Sequence, residues 1–113
     1  MGSSEEGFVR LTYRFVGGRP VLVRKKRVKR LPDAFAILVV RSDEKGVRGA
    51  QAVVPLSAAD GAREAILRLI EGDDEGAARA LCEAAGEKYY PPPFTVSYPM
   101  VRRGEHVKVM ILA

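Results

Sequence analysis

The chain has 113 residues, 47% of them hydrophobic and 29% charged, so it holds about one domain and is not disordered over most of its length. It has no run of about 18 apolar residues, so no membrane span is predicted, and its one cysteine, Cys82, excludes a disulfide framework and a zinc ribbon. The net charge of +5 is divided, because residues 10–48 carry +9 and residues 57–87 carry −5.

A disordered leader is predicted over residues 1–7, followed by a single domain over residues 8–113. From Phe8 onward, apolar and polar side chains alternate with the period of two that is typical of a β-strand. Tyr13 and Phe15 fall on the apolar side and are expected in the core. The sequence Gly-Gly-Arg-Pro then indicates a chain reversal.

The next stretch, VLVRKKRVKRL, begins as a strand and becomes basic on both faces. A strand charged on both sides cannot lie in the middle of a packed sheet. We therefore predict that this stretch is an edge strand or leaves the sheet altogether, because lysine and arginine also protect sheet edges from aggregation.

The apolar run AFAILVV fits either a buried strand or a helix that has Pro32 at its first position. We favour a strand because the turn sequence Asp-Glu-Lys-Gly leads straight into a second β-rich run, VRGAQAVV. Together the two runs predict a second hairpin, with the helix left as the alternative.

Helical spacing replaces the period of two at Ser57, which is a plausible N-cap, and continues until Gly72. A second helix is predicted from about Asp74 to a C-cap at Gly86. A stiff Tyr-Tyr-Pro-Pro-Pro connector follows, and FTVSY and VKVMIL close a third hairpin. The order ββββααββ predicts an α+β fold, an antiparallel sheet of hairpins with two consecutive helices packed on one face.

No catalytic constellation is recognisable in the sequence. The sole histidine, His106, lies beside a predicted hairpin turn, and Cys82 lies among alanines on a predicted helix, where an inert thiol is expected. HExxH, Walker A and GxGxxG motifs are missing. We therefore predict no enzyme activity, no cofactor and no metal site.

Six of the seven residues from 24 to 30 are basic, which is the strongest feature of the sequence. On an extended strand, alternate side chains are about 6.6–7 Å apart, comparable to phosphate spacing along an extended nucleic-acid strand. The alternative is a strand whose charge only protects an edge and keeps the protein soluble, or a targeting-like basic run. The residues predicted to contact phosphate are Arg10, Arg14, Arg24, Lys26 and Arg30, with smaller contributions from Lys25, Arg27, Lys29 and Arg41. Arg48 could extend this track.

Tyr89 and Tyr90 follow the second predicted helix and precede three prolines that would hold them rigidly. Consecutive residues of an extended backbone point in opposite directions, so at least one ring is expected to be exposed. A base stacked on such a ring contributes about 1–3 kcal/mol without reading sequence. We predict that both tyrosines take part in the nucleic-acid site.

Single strands are predicted to be preferred over duplex, because the two helices are acidic and would be repelled from a major groove. Single-stranded DNA is the expected partner, with RNA open and no membrane partner. The alternative is an assembly subunit, a possible homo-oligomer, in which the basic strand pairs with acidic helices of a partner. The scarcity of asparagine and glutamine, with 13 arginines against 6 lysines, favours a thermophilic, cytoplasmic source.

The segment FVRLTYRFVGGRPVLVRKKRVKRLPDAFAILVV, followed by helices and a C-terminal hairpin, resembles the ThermoDBP family of archaeal single-stranded DNA-binding proteins over about residues 8–113. The resemblance implies a basic cleft, floored by apolar and aromatic side chains, that binds DNA without sequence specificity. One member of that family also carries a zipper-like C-terminal helix. Here the strand-like VKVMILA stands in its place, which leaves the oligomeric state open.

Overall fold

The computed structural model describes residues 7–29, 34–88 and 95–112. Within these residues the element order is ββββααββ, which confirms the predicted α+β class. The strands are β1 Phe8–Val16, β2 Arg19–Val28, β3 Ala36–Asp43, β4 Gly46–Pro55, β5 Thr95–Arg102 and β6 Glu105–Leu112. The helices are α1 Ala62–Ile70 and α2 Asp74–Ala85, with a 3₁₀ turn at Leu56–Gly61 before α1. No helix in this part of the chain is long and apolar enough to cross a membrane.

The strands form one antiparallel sheet with the spatial order β2-β1-β4-β3-β6-β5. Each of the three predicted hairpins is present, and the hairpins lie side by side. Strand β2 is at one edge of the sheet, as its charge on both faces predicted. AFAILVV supplies the central strand β3, paired with β4 and β6, and not the helix that had been the alternative.

The core lies between the helices and one face of the sheet. One row of paired residues crosses four strands through Leu11, Ala52, Leu38 and Met110. All four are at most 3% exposed, and they belong to one buried cluster with Ile66 of α1 and Leu81 of α2. The helices therefore cover the face of the sheet on which these alternate residues lie.

Ser57 is not the N-cap of α1, contrary to the prediction. The chain first forms the 3₁₀ turn, and Gly61 then occupies the N-cap position without any side-chain cap. A Cβ at Gly61 would lie only 2.7 Å from the Ala80 carbonyl oxygen and 2.7 Å from the Ala84 Cβ. Close packing of the turn against α2 therefore decides where α1 begins, and it overrides the local capping signal.

Helix α2 begins and ends where the sequence predicts. The Asp73 carboxylate accepts a hydrogen bond from the Gly76 N–H at 2.9 Å, and Gly86 closes the helix in the left-handed conformation with a φ of 72°. Lys108 of β6 lies 2.9 Å from Asp74 Oδ1. This ion pair links α2 to β6. Asp74 Oδ1 is shielded from solvent and makes no hydrogen bond in the described residues, so Lys108 is its charge partner.

Gly7, the last residue of the predicted leader, is joined to the fold. Its carbonyl accepts a hydrogen bond from the Leu56 N–H at 3.3 Å. The other residues of that leader, 1–6, lie outside the described residues.

Candidate functional site

Both helices pack on one face of the sheet, and no helix of the described residues covers the opposite face, called here the open face. The side chains at its centre are half-buried, and most of them are aliphatic. The half-buried residues of the open face are Thr12, Ile37, Val39, Gln51, Val53, Val109 and Ile111. The register places them opposite one another on β1, β4, β3 and β6.

Basic side chains border this centre on the side of β2. Arg10 of β1 is paired with Lys26, and Thr12 is paired with Arg24. Directly paired residues of antiparallel strands lie on the same face with Cβ atoms about 4.5–5.5 Å apart. Arg10, Arg24 and Lys26 are all exposed, so they form one compact positive patch on the open face.

Two further arginines lie across Gly49 on the same face. Arg14 of β1 and Arg41 of β3 are both paired with Gly49 of β4, which lies between them. Adjacent strands are about 4.8 Å apart, so the two arginine backbones are separated by about 10 Å. Because Gly49 has no side chain, a bare stretch of backbone lies between two exposed guanidinium groups.

These five side chains are called the open-face cations: Arg10, Arg14, Arg24, Lys26 and Arg41. Within residues 7–29, 34–88 and 95–112, no carboxylate forms an ion pair with any of them. Like charges directly opposite each other, as at Arg10 and Lys26, destabilise a sheet. The open face therefore carries an electrostatic cost that a bound anion would relieve.

Other predicted phosphate contacts lie elsewhere. Lys25 is paired with Leu11 and Arg27 with Val9, whose side chains are in the core, so Lys25 and Arg27 lie on the helix side of β2. Lys29 is exposed just beyond the end of β2. The predicted basic run is thus divided between two faces. The remaining predicted site residues, Arg30, Tyr89 and Tyr90, lie outside the described residues.

Arg48, which the sequence suggested as an extension of the basic track, is paired within its own hairpin. Its Nε donates a hydrogen bond to Asp43 Oδ2 at 2.7 Å. This bond, together with the Lys45 N–H donated to Asp43 Oδ1, lowers the pKa of the Asp43 carboxyl. Arg48 is therefore occupied by an internal partner, unlike the open-face cations.

Aromatic side chains with described exposure are covered. Tyr13 is 6% exposed and belongs to the core, with the half-buried Phe15 packed against that cluster, as predicted. Phe8 is 7% exposed. Among the described side chains, the centre of the open face is aliphatic, and Tyr98 of β5 is paired in register with Val109.

Three acidic residues of the helical layer, Glu64, Asp73 and Glu75, are paired with arginines of the same layer. The Arg68 guanidinium lies 2.7 Å from Glu64 and 3.4 Å from Asp73. Arg79 lies 2.8 Å from Glu75. The charge of the helical layer is thus partly neutralised by its own cations, whereas the open face keeps its positive charge.

The end of the β1–β2 hairpin exposes apolar side chains that the sequence analysis did not single out. Val16, Val21, Leu22 and Val23 are 43–54% exposed. Val21 is paired with Arg14, so apolar surface continues along the open face beside a cation. The sequence signal for this apolar surface was the run Val-Leu-Val at the start of β2, a strand already predicted to lie at an edge of the sheet.

An apolar cleft of about 370 Å³ lies on the helix side of the sheet, between α1 and the ends of β3 and β6. Leu69, Ile70 and Val47 line it, together with His106 and Lys108. Lys108 is already paired with Asp74. In the described part of the chain, no cluster of three or more His, Cys, Asp or Glu side chains could hold a metal ion.

Comparison with protein-family models, curated proteins and solved structures gives no significant match. Function is therefore inferred from the geometry of the chain itself.

Proposed function

We propose that this protein binds single-stranded nucleic acid on the open face, without sequence specificity and without catalysis. The observation that carries the proposal is the arrangement of the five open-face cations, unpaired in the described residues, around a half-buried aliphatic centre. This surface combines aliphatic side chains with uncompensated positive charges. A single strand of nucleic acid combines apolar base faces with negatively charged phosphates, so the two match.

Phosphates would bind to the cations and bases would lie over the aliphatic centre. Arginine and lysine that neutralise phosphates release counterions, which provides affinity without reading sequence. Polar groups at the centre are few, and Gln51 Nε2 lies 3.4 Å from Thr12 Oγ1, so these two side chains bond to each other. Base edges would therefore meet few free donors or acceptors, which favours binding without sequence specificity.

A single strand fits this surface better than a duplex does. A duplex directs its phosphates outward and keeps its bases stacked inside, so it would leave the aliphatic centre without a partner. The helices lie on the opposite face and carry Glu64, Glu75 and Asp73, which suits neither groove of a duplex. DNA is proposed ahead of RNA on the resemblance to the ThermoDBP family.

The second candidate is an assembly subunit whose basic strand docks on acidic helices of another copy. The exposed apolar end of the β1–β2 hairpin favours some protein contact. Against this, the helix acids Glu64, Asp73 and Glu75 already have arginine partners. A strand that docks on these three acids would have to displace those pairs, which favours nucleic acid as the partner of the basic surface.

We expect fluorescence anisotropy titrations to show single-stranded DNA binding at least tenfold more tightly than duplex DNA of equal length at physiological salt. Single-stranded RNA of the same sequence, measured in parallel, separates the two nucleic acids. Duplex binding as tight as single-strand binding would contradict the proposal, because it would leave only a basic surface without a role for the aliphatic centre. Light scattering without oligonucleotide tests the assembly alternative.

A further inference from the structure

Strand β2 has a second exposed face on the helix side of the sheet. Leu22 is paired with Tyr13 and Lys25 with Leu11, and both partners are buried in the core. Leu22 is nevertheless 47% exposed, and Lys25 is also exposed. The helical layer therefore ends before β2 and leaves a ledge along the edge of the sheet.

Arg63, exposed at the second position of α1, is a second cation on the same side of the sheet. Helix α1 packs through Ile66 against the cluster that contains Leu11, the residue paired with Lys25. Burial raises the pKa of Tyr13, the partner of Leu22, and the Arg63 charge acts to lower it. Neither Lys25 nor Arg63 has an ion-pair partner in the described residues. The ledge is defined here by Leu22, Lys25 and Arg63. Like the open face, it combines apolar surface with cations that have no carboxylate partner in the described residues.

The outer backbone of β2 joins the two surfaces. In the described sheet β2 has β1 as its neighbour on one side and no strand on the other. An edge strand presents unpaired N–H groups, and backbone N–H groups are regular donors to phosphate oxygens. Arg24 and Lys26 lie on one side of this edge and Lys25 on the other, so cations flank it on both faces.

We propose that a single strand bound on the open face continues around the β2 edge onto the ledge, where Lys25 and Arg63 bind its further phosphates. The inference rests on the proposed function and adds that only a strand long enough to pass the β2 edge contacts the ledge. From β3 to β2 the open face spans three strand spacings, about 14 Å, which a short oligonucleotide fills. A longer strand has phosphates left over, and the ledge offers them charge of the opposite sign.

The test compares oligodeoxythymidylates of about 6 and about 16 nucleotides, two lengths within the range of about 4–16 nucleotides that one OB fold binds. The ledge variant is Lys25→Ala with Arg63→Ala, and the matched open-face variant is Arg10→Ala with Lys26→Ala. We expect the ledge variant to bind the long oligonucleotide at least tenfold more weakly than the wild type does, and the short one less than twofold more weakly. The open-face variant should bind both more weakly.

Salt dependence provides an independent measurement. Each lost phosphate contact flattens the plot of log K against log salt by about 0.7 for a single strand, so the ledge variant should flatten it by about 1.4 with the long oligonucleotide only. Lys25→Arg with Arg63→Lys should keep the slope. Thermal unfolding should show no variant to be less stable than the wild type, since every altered side chain is exposed.

Equal losses for the two lengths, or no loss for either, would overturn the inference while leaving the proposed function intact. A wild-type protein that binds neither length would instead overturn the proposed function. If the ledge variant changes the molar mass in light scattering but not the affinity, the ledge is a contact between copies and the inference is also overturned.

Discussion

Tyr13 is 6% exposed and belongs to the buried core. Burial raises the pKa of this phenol above 10.0, and the nearby Arg63 charge opposes the rise only in part. The folded protein thus favours the neutral phenol more strongly than the unfolded chain does. Stability from this group is fully present below the unfolded pKa and is lost as pH rises through the folded pKa.

We expect Tyr13→Phe to flatten the alkaline loss of stability, because phenylalanine has no proton to lose. The measurement is the free energy of unfolding by denaturant at several pH values on either side of 10. The phenolate absorbance of the wild type, followed over the same range, provides the control. A variant whose stability falls in parallel with that of the wild type would show that other groups cause the alkaline loss.

Arginines of this protein differ in whether a carboxylate is their ion-pair partner, and sequence alone does not reveal which of them have one. Arg41 and Arg48 flank the same predicted hairpin and look equivalent along the chain. In the structure Arg48 donates to Asp43 at 2.7 Å, whereas Arg41 has no carboxylate partner in the described residues. Asp43 therefore compensates the charge of Arg48, whereas no carboxylate of the described residues compensates that of Arg41.

The alternation of strand β2 is interrupted once along its pairing with β1. The register shifts between Thr12 and Tyr13, so Arg24 is paired with Thr12 while Leu22, not Val23, is paired with Tyr13. Val23 is the extra residue, as in a β-bulge. The shift places both Val21 and Arg24 on the open face, where strict alternation would have separated them.

Strand β3 places a core side chain and an open-face side chain on consecutive residues. Leu38 is fully buried under the helices, while Val39 is half-buried on the open face. We expect Leu38→Ala to cost about 2–5 kcal/mol of unfolding free energy, because it leaves a cavity. Val39→Ala should cost less than half as much, yet weaken oligonucleotide binding about fivefold by removing methyl groups that a base would cover.

Denaturant unfolding and anisotropy titration on the same two variants check this expectation. Affinities are compared after correction for the unfolded fraction, so that Leu38→Ala serves as the stability control. If Val39→Ala binds like the wild type, bases do not lie over the centre of the open face.

The whole molecule separates its charges between two layers. Its extents of 47 × 30 × 22 Å describe a flat body with a sheet on one side and helices on the other. The open-face cations have no carboxylate partner in the described residues, while in the helical layer Glu64, Asp73 and Glu75 pair with Arg68 and Arg79. A polyanion approaching this molecule is attracted to the sheet side.

We expect the logarithm of the binding constant for a short single strand to fall against the logarithm of salt with a slope near −3.5, from about five contacts of roughly 0.7 each. Replacing Arg10, Arg24 and Lys26 by alanine should flatten the slope by about 2. The control replaces Lys45, Arg68 and Arg79, which removes the same charge away from the open face. Equal flattening in both variants would mean that net charge, rather than the open-face cations, governs binding.

The sequence by itself determined the local elements. Alternation, glycine-rich turns and helical spacing predicted the order ββββααββ, and charge on both faces predicted that β2 is an edge. These features depend on neighbours within a few residues, so a single chain reveals them. For the same reason Asp73 and Gly86 bound α2 as their residue types suggest.

Tertiary structure alone decided which strands meet and which cations share a face. The β1–β4 and β3–β6 pairings bring Arg14 and Arg41 to either side of Gly49, and the bulge in β2 sets which face Arg24 occupies. The start of α1 was likewise fixed by the contact of Gly61 with α2. Each of these outcomes depends on packing between segments far apart in the chain, where the free energy of burial outweighs local preference.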